Sequence, residues 1–387
     1  MDHIIHYDPN LPDGIPSPCF VVDFQRLEEN LVVLDEVQKA ADCKILCALK
    51  GFAMHSVFPL LASRLCGVCA SGPHEARLGS EFFGKEVHVY APAFSEQDME
   101  EIMPIAHHIS FNSFHQFEYH REALLNSGYN PSCGLRVNPG YSEVEVELYD
   151  PCAKGSRLGI PVEAFKGRDM KEVEGLHFHA LCEQNADTLA RVLEAFETRF
   201  SRWFSQLKWV NFGGGHHITS PRYDTQLLVE SIRSFKRRYP NLEVYLEPGE
   251  AIAINTGVLL ATVLDIIPGD PDTAILDISA TCHMPDVLEM PYRPEIFEAQ
   301  TPGKFPYTYQ LGGLSCLAGD VVGTYSFRNR LERGSTVHFL DMAHYTMVKT
   351  TTYNGIKHPS IATWDPRKQS LKIVREFGYN DYRDRLS

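Results

Sequence analysis

The stretch "KILCALKGF", residues 44–52, decides the fold. Ile45 to Leu49 form an unbroken apolar run, and a lysine and a glycine follow at once. A run this short reads as a strand buried on both faces, as in a parallel sheet covered by helices. A solvated lysine belongs on a surface helix or loop. An amine held where a buried strand ends calls for a chemical reason.

Working outward, the same pattern recurs seven times: "GVCASG" (67–72), "VHVYAPA" (87–93), "HHISFNS" (107–113), "GLRVNPG" (134–140), "GLHFHA" (175–180), "WVNFGGG" (209–215) and "LEVYLEPG" (242–249). The intervals leave room for a helix or crossover between most of them. The clearest helix follows Asn185, with Leu189, Val192, Leu193, Phe196, Phe200, Trp203, Phe204 and Leu207 on one stripe. Another precedes the first strand, carrying Leu27, Leu31, Leu34 and Val37. Eight strands alternating with helices predict an α/β fold, a closed (β/α)8 TIM-like barrel, with its site at the carboxyl ends of the strands. Lys50 stands at such an end.

From Gly257 the pattern changes. "VLLATVLDII", "TAILDIS", "STVHFLDMA" and "SLKIVREF" are β-rich and separated by Gly and Pro turns, which predicts a second, all-β domain. The isolated strand "CFVVD" (19–23) is expected to pair with it. The division falls at residues 24–260 for the barrel, with 1–23 and 261–387 forming a β-sandwich or β-barrel.

Composition bounds the function. The chain has 387 residues, 44% of them hydrophobic and 22% charged, which is ordinary globular usage. A net charge of -14 without a basic cluster excludes nucleic acid as a natural partner. No apolar stretch has membrane-spanning length, and "MDHIIHYDPN" lacks the basic start and apolar run of a signal peptide, so a cytoplasmic location is expected. Most of the ten cysteines are expected to be reduced, and Cys66 and Cys69 of "CGVC" read as buried core thiols, since no second pair follows at a zinc-ligand distance.

Read at their strand ends, the runs set Lys50, Arg136, His177 or His179, Gly213, Gly214, Gly215 and Glu247 around one rim. Each alone has an ordinary structural explanation. Together they supply what pyridoxal phosphate requires: an amine for a Schiff base, a glycine loop whose N–H groups approach a phosphate, and a carboxylate for a ring nitrogen. The glycines match neither the P-loop nor the dinucleotide fingerprint. A metal-dependent barrel hydrolase using His177 and His179 with His216 or His217 is a different reading, as is a non-catalytic carrier of the same cofactor.

"ALKGF" (48–52), "HFHALCE" (177–183), "NFGGGHH" (211–217), "LEPGE" (246–250), "SCLAGD" (315–320) and "HYTMVKTTTYNG" (344–355) occur in this order over nearly the whole chain. Together they resemble the carboxynorspermidine (carboxyspermidine) decarboxylase family, within the alanine-racemase-like, fold type III pyridoxal phosphate enzymes that include ornithine and diaminopimelate decarboxylases. The resemblance implies that Lys50 bonds the cofactor, His179 stacks on its ring, Gly213–Gly215 hold its phosphate and Glu247 pairs with its ring nitrogen. It further implies that Tyr345 reaches the phosphate and that Cys316 approaches the substrate carbon from a partner subunit, which requires a homodimer with shared sites. Two positions depart from the ornithine decarboxylase pattern: Glu250 stands where an arginine would face the phosphate, and Val68 where an acidic residue precedes "CAS".

The implied reaction is decarboxylation of carboxynorspermidine or carboxyspermidine to norspermidine or spermidine, in polyamine biosynthesis. A diaminopimelate- or ornithine-type activity is the neighbouring alternative. The substrate's remaining amines call for acidic groups, and Asp320 and Glu183 are the candidates. "CHMPDVLEMPYRP" (282–294) offers His283, Asp286 and Arg293 for the same pocket.

Overall fold

The computed structural model describes residues 7–387. Residues 1–6, which carry most of the sequence argument against a leader, lie outside the described part. The chain forms two compact units, one of residues 30–252 and one of residues 7–29 with 253–387.

The first unit is a closed barrel of eight parallel strands: Lys44–Ala48, Gly67–Ala70, Glu86–Tyr90, His108–Phe111, Ser132–Arg136, Gly175–His177, Trp209–Asn211 and Glu243–Leu246. Each of the eight apolar runs supplies one of them. The barrel closes where Lys44 and Ile45 pair with Tyr245 and Leu246. Between strands lie short helices such as Glu96–Ile102, whose start is fixed by a reciprocal Ser95–Asp98 capping box. The helix Ala186–Phe200 begins at Asn185, whose side chain accepts from the Ala186 N–H. It buries Leu189, Val192, Leu193, Phe196 and Phe200. The stripe read on to Leu207 continues as a 3-10 segment, Ser201–Gln206, that still buries Phe204. The connection between Arg136 and Gly175 has no α-helix, only the 3-10 turns Glu147–Tyr149 and Val162–Phe165.

Side chains fill the barrel's interior. Leu46, Trp209 and Tyr245 pack together there, and the Trp209 ring lies so close to two neighbouring strands that a Cβ would come within 2.4 Å of it at Gly134 and 2.1 Å at Gly175. Those glycines make room for the indole, whose N–H donates to Ser132 Oγ at 2.8 Å.

The second unit is built on a nine-stranded mixed sheet. Its axis is the long strand Gly257–Ile267, which pairs with Cys19–Asp23, Asp272–Leu276 and Thr336–Leu340. Cys19–Asp23 also pairs in parallel with Ser360–Asp365, so "CFVVD" joins the late strands. Because Gly257 already pairs with Val22, the sheet begins before residue 260. Phe20, Leu259, Leu276, Leu311 and Phe339 form the centre of its core. No described helix is long and apolar enough to cross a membrane.

Candidate active site

Lys50 lies two residues beyond the strand Lys44–Ala48, in a turn that leaves it exposed. The backbone holds this turn on both sides: Ala48 N–H donates to Pro248 O at 3.1 Å and Leu49 N–H to Cys69 O at 3.0 Å. Gly51 follows because nothing larger fits easily; a Cβ there would sit 3.1 Å from Gly249 Cα. The amine of the opening stretch is thus fixed at the carboxyl end of the barrel, beside the Glu247–Pro248–Gly249 turn.

Glu247 is the best-supported charge in this mouth. Its Oε1 accepts from Asn211 Nδ2 at 2.7 Å, and its Oε2 lies 3.3 Å from His177 Nε2, a close contact without hydrogen-bond alignment. Burial alone would raise its pKa, but His177, His88 and the Asn211 hydrogen bond outweigh it and bring the carboxyl down to about 2. A carboxylate kept ionised in a protein interior is suited to holding a proton on a partner base. Its backbone is tied to the glycine loop as well, with Glu247 N–H donating to Gly213 O at 2.7 Å.

The loop itself admits no side chains. Gly213 and Gly215 have φ of 71° and 83°, and Cβ atoms would fall 2.4 Å from Phe178 O at Gly213, 2.2 Å from Glu247 O at Gly214 and 2.0 Å from Leu181 O at Gly215. The N–H groups of the first two glycines are used internally. Gly213 donates to Asn211 Oδ1 at 2.9 Å and Gly214 to His179 Nδ1 at 3.0 Å. Both bonds stay within the barrel mouth and fix the shape of the loop.

Accepting from Gly214 makes His179 a neutral imidazole with its proton on Nε2. Burial, then the charges of Lys50 and Arg136, hold it well below the usual histidine range. Arg136, the buried last residue of its strand, donates to His179 O at 3.4 Å and stacks 4.4 Å above the Tyr90 ring. Tyr90 also meets His177 edge-on at 5.4 Å. The barrel therefore brings Lys50, Arg136, His177, His179, the glycine loop and Glu247 to one end. Asn211 and Tyr90 were missed by the sequence reading, and Asn211 had a signal: a polar residue inside the apolar run "WVNFGGG".

Glu250 also has a partner in the barrel, His217, whose Nε2 lies 3.0 Å from its Oε2. Glu183 is exposed, with a left-handed φ of 56°. Buried His216 faces Tyr223 Oη at 3.3 Å and is pushed down to about 4, chiefly by burial. Among the described residues the mouth histidines do not gather with another ligand as a metal-binding group, which removes the arrangement the hydrolase reading needed.

In the sheet unit, Cys316 is exposed and its N–H donates to Asn354 Oδ1 at 2.7 Å. Asp320 fixes this loop: its carboxylate accepts from Ala280 N at 2.7 Å, Thr281 N at 3.3 Å and Ser315 N at 2.9 Å. Tyr345 has φ of 50°, an uncommon conformation for a bulky residue. Three expected substrate contacts are otherwise occupied. His283 is fully buried, with Nδ1 accepting from Ser279 N and Nε2 3.1 Å from Lys357 O. Arg293 donates to Gln300 O and Thr324 O and stacks on Tyr325. Asp286 is paired with Lys349. Each of these three side chains has a partner within the sheet unit.

The family model described as "Pyridoxal-dependent decarboxylase, C-terminal sheet domain" matches residues 19–343. The chain belongs to this decarboxylase family. A carboxyaminopropylagmatine decarboxylase of Synechocystis sp. is 46% identical, with 96% of each chain covered. A carboxynorspermidine/carboxyspermidine decarboxylase of Campylobacter jejuni is 42% identical, covering 96% of this chain and 98% of the relative. The crystal structure of a C. jejuni carboxynorspermidine decarboxylase complexed with norspermidine superposes with a TM-score of 0.89 at 41% identity, over 96% of this chain and 100% of that one. A Helicobacter pylori diaminopimelate decarboxylase, at 16% identity and a TM-score of 0.82 over 96% of this chain and 97% of that one, shares the decarboxylase fold.

The depressed Glu247 pKa has a measurable consequence. A group whose folded pKa lies below its ordinary 4.5 adds stability above that pH, and loses it as pH falls toward about 2. The stability difference between wild type and Glu247→Gln, from urea unfolding, is expected to be largest near neutrality and to shrink over that interval. A difference independent of pH contradicts an ionised Glu247.

Proposed function

We propose that this chain decarboxylates carboxynorspermidine or carboxyspermidine, releasing norspermidine or spermidine, with pyridoxal phosphate held at the barrel mouth. The observation that carries the reading is the ionised, buried Glu247 at the same strand-end rim as Lys50, in a chain 42% identical to a carboxynorspermidine/carboxyspermidine decarboxylase. The residues fit the cofactor: the glycine loop has left-handed backbone and no space for a Cβ, and the carboxylate is held by Asn211 and His177.

When bound, pyridoxal phosphate supplies an aldehyde that joins an amine and a protonated ring that takes up the electron pair left by departing carbon dioxide. Lys50 would hold that aldehyde covalently and yield its place to the substrate's α-amine. Glu247 Oε1 and Oε2 would keep the proton on the ring nitrogen, a task that requires a carboxylate ionised at working pH. His179, neutral and anchored through Nδ1 by Gly214, would lie against the ring without adding a competing charge. The Gly215 end of the loop and Tyr345 would face the phosphate. A proton on His217, 3.0 Å from Glu250, would offset the repulsion that a carboxylate in place of the arginine brings.

Cys316 is the proposed proton donor to the substrate α-carbon, supplied by the other subunit of a homodimer. Its exposed loop, flanked by exposed Leu314 and Leu317, supports that assignment. Asp320 then acts by holding the Cys316 loop through Ala280 and Ser315, besides its proposed role toward a substrate amine, and Glu183 remains the second carboxylate proposed for that task.

Carbon dioxide release from five substrates tests the reading: carboxynorspermidine, carboxyspermidine, carboxyaminopropylagmatine, ornithine and diaminopimelate. A carboxylated triamine is expected to exceed ornithine and diaminopimelate by at least about 10²-fold in kcat/KM. Carboxyaminopropylagmatine is included because the 46% identical relative carries its name, and its guanidinium tail asks for a planar, two-point acceptor rather than a single carboxylate contact. Preference for that compound moves the substrate to the guanidinium type; preference for ornithine or diaminopimelate overturns the proposal. Shared sites are tested separately by mixing inactive Lys50→Ala and Cys316→Ala proteins. Partial recovery of activity is expected, and none after verified subunit exchange counts against a donor from the partner subunit.

A further inference from the structure

At the amino-terminal end of the barrel, opposite the mouth, three side chains converge that the decarboxylation does not use. Glu86 and His88 alternate along one strand and share a face, and His108 is the register partner of His88 on the next. His88 Nε2 lies 3.0 Å from Glu86 Oε2 and 2.6 Å from His108 Nδ1. These ligand atoms all fall within 4.8 Å of one another, and they are the only such group among the described residues.

The protons do not balance as hydrogen bonds. His88 Nε2 has one valence to offer: protonated, it faces two acceptors, and unprotonated, it accepts from His108 while its lone pair confronts a carboxylate oxygen. Three lone pairs converge with too few protons to satisfy them.

We propose that Glu86 Oε2, His88 Nε2 and His108 Nδ1 bind a divalent transition-metal ion, with Zn²⁺ the best match to two imidazoles and a carboxylate. The surroundings form a second layer suited to it. Lys44 Nζ holds the other Glu86 oxygen at 2.9 Å and meets Tyr245 Oη at 3.2 Å, which orients the ligating carboxylate. Glu243 lies 3.7 Å from the same ammonium, so two carboxylates face one lysine and the locality stays negative. The contact between the histidines is closer than the about 3.3 Å that two nitrogens keep around tetrahedral zinc. Metal entry therefore moves His108 outward. The space exists: Lys44, Glu86, His108, Tyr129 and Tyr245 line an open cavity of about 610 Å³, which also gives the ion an entry path and a place for a water as fourth ligand. A metal here ties two adjacent strands at the end of the barrel where side chains serve stability rather than catalysis.

The test uses tag-free, cofactor-loaded protein titrated with Zn²⁺ alone and followed by calorimetry, with elemental analysis after gel filtration. Wild type is expected to retain one zinc per chain and to melt at a higher temperature with the metal. His108→Ala and Glu86→Gln should each weaken zinc by at least about 100-fold, and Lys44→Met by about 10–100-fold, while cofactor absorbance and decarboxylation persist. Glu86→Gln keeps the side chain's shape, so it remains informative if His108→Ala folds poorly. No stoichiometric zinc in wild type overturns the proposal. So does zinc bound equally well by both ligand variants, which would place the metal among the mouth histidines instead.

Discussion

Everything at the barrel mouth depends on one carboxylate staying charged inside the protein. Burial alone would neutralise Glu247, and the fold opposes this by converging groups from three neighbouring strand ends. Asn211 donates to one oxygen, His177 lies against the other, and the backbone of residue 247 is bound to Gly213. Since Asn211 also accepts from Gly213 N–H and His179 from Gly214 N–H, the carboxylate, the glycine loop and the imidazole form one hydrogen-bonded unit. The glycines are needed twice over, for left-handed backbone and because a Cβ at Gly214 would collide with Glu247 O. Chemistry and folding constraint coincide at the same atoms.

The barrel is asymmetric along its axis. Its mouth holds the amine, the loop and the carboxylate; its middle is filled by Trp209 lying against Gly134 and Gly175; its far end is a polar cluster around Glu86, His88 and His108.

The eight barrel strands were legible because parallel strands buried on both faces leave continuous apolar runs, and the turn after each is rich in Gly, Pro or Asn. The sheet unit was only half legible. Gly257–Ile267 and Thr336–Leu340 announced themselves, whereas Tyr307–Gly312 and Val321–Phe327 contain Gln310, Gly323 and Thr324 and lack a clean alternation. In the site, Lys50, Gly213–Gly215 and Glu247 stood out as residue types that a buried strand end does not need for stability. His283 and Arg293 looked equally available, since sequence does not reveal that Lys357 O, Gln300 O and Thr324 O already engage them. Nor does it reveal that Asp320 secures the Cys316 loop through Ser315. The meeting of His88 with His108 required strand register, which only the folded barrel defines.

The most direct measurement is borohydride reduction of the cofactor-supplemented protein followed by peptide mass analysis. The account predicts a yellow protein that bleaches on reduction, with a phosphopyridoxyl group fixed to the ε-amine of Lys50 and to no other lysine. A colourless protein, or one whose Lys50 peptide is unchanged in mass after reduction, contradicts it.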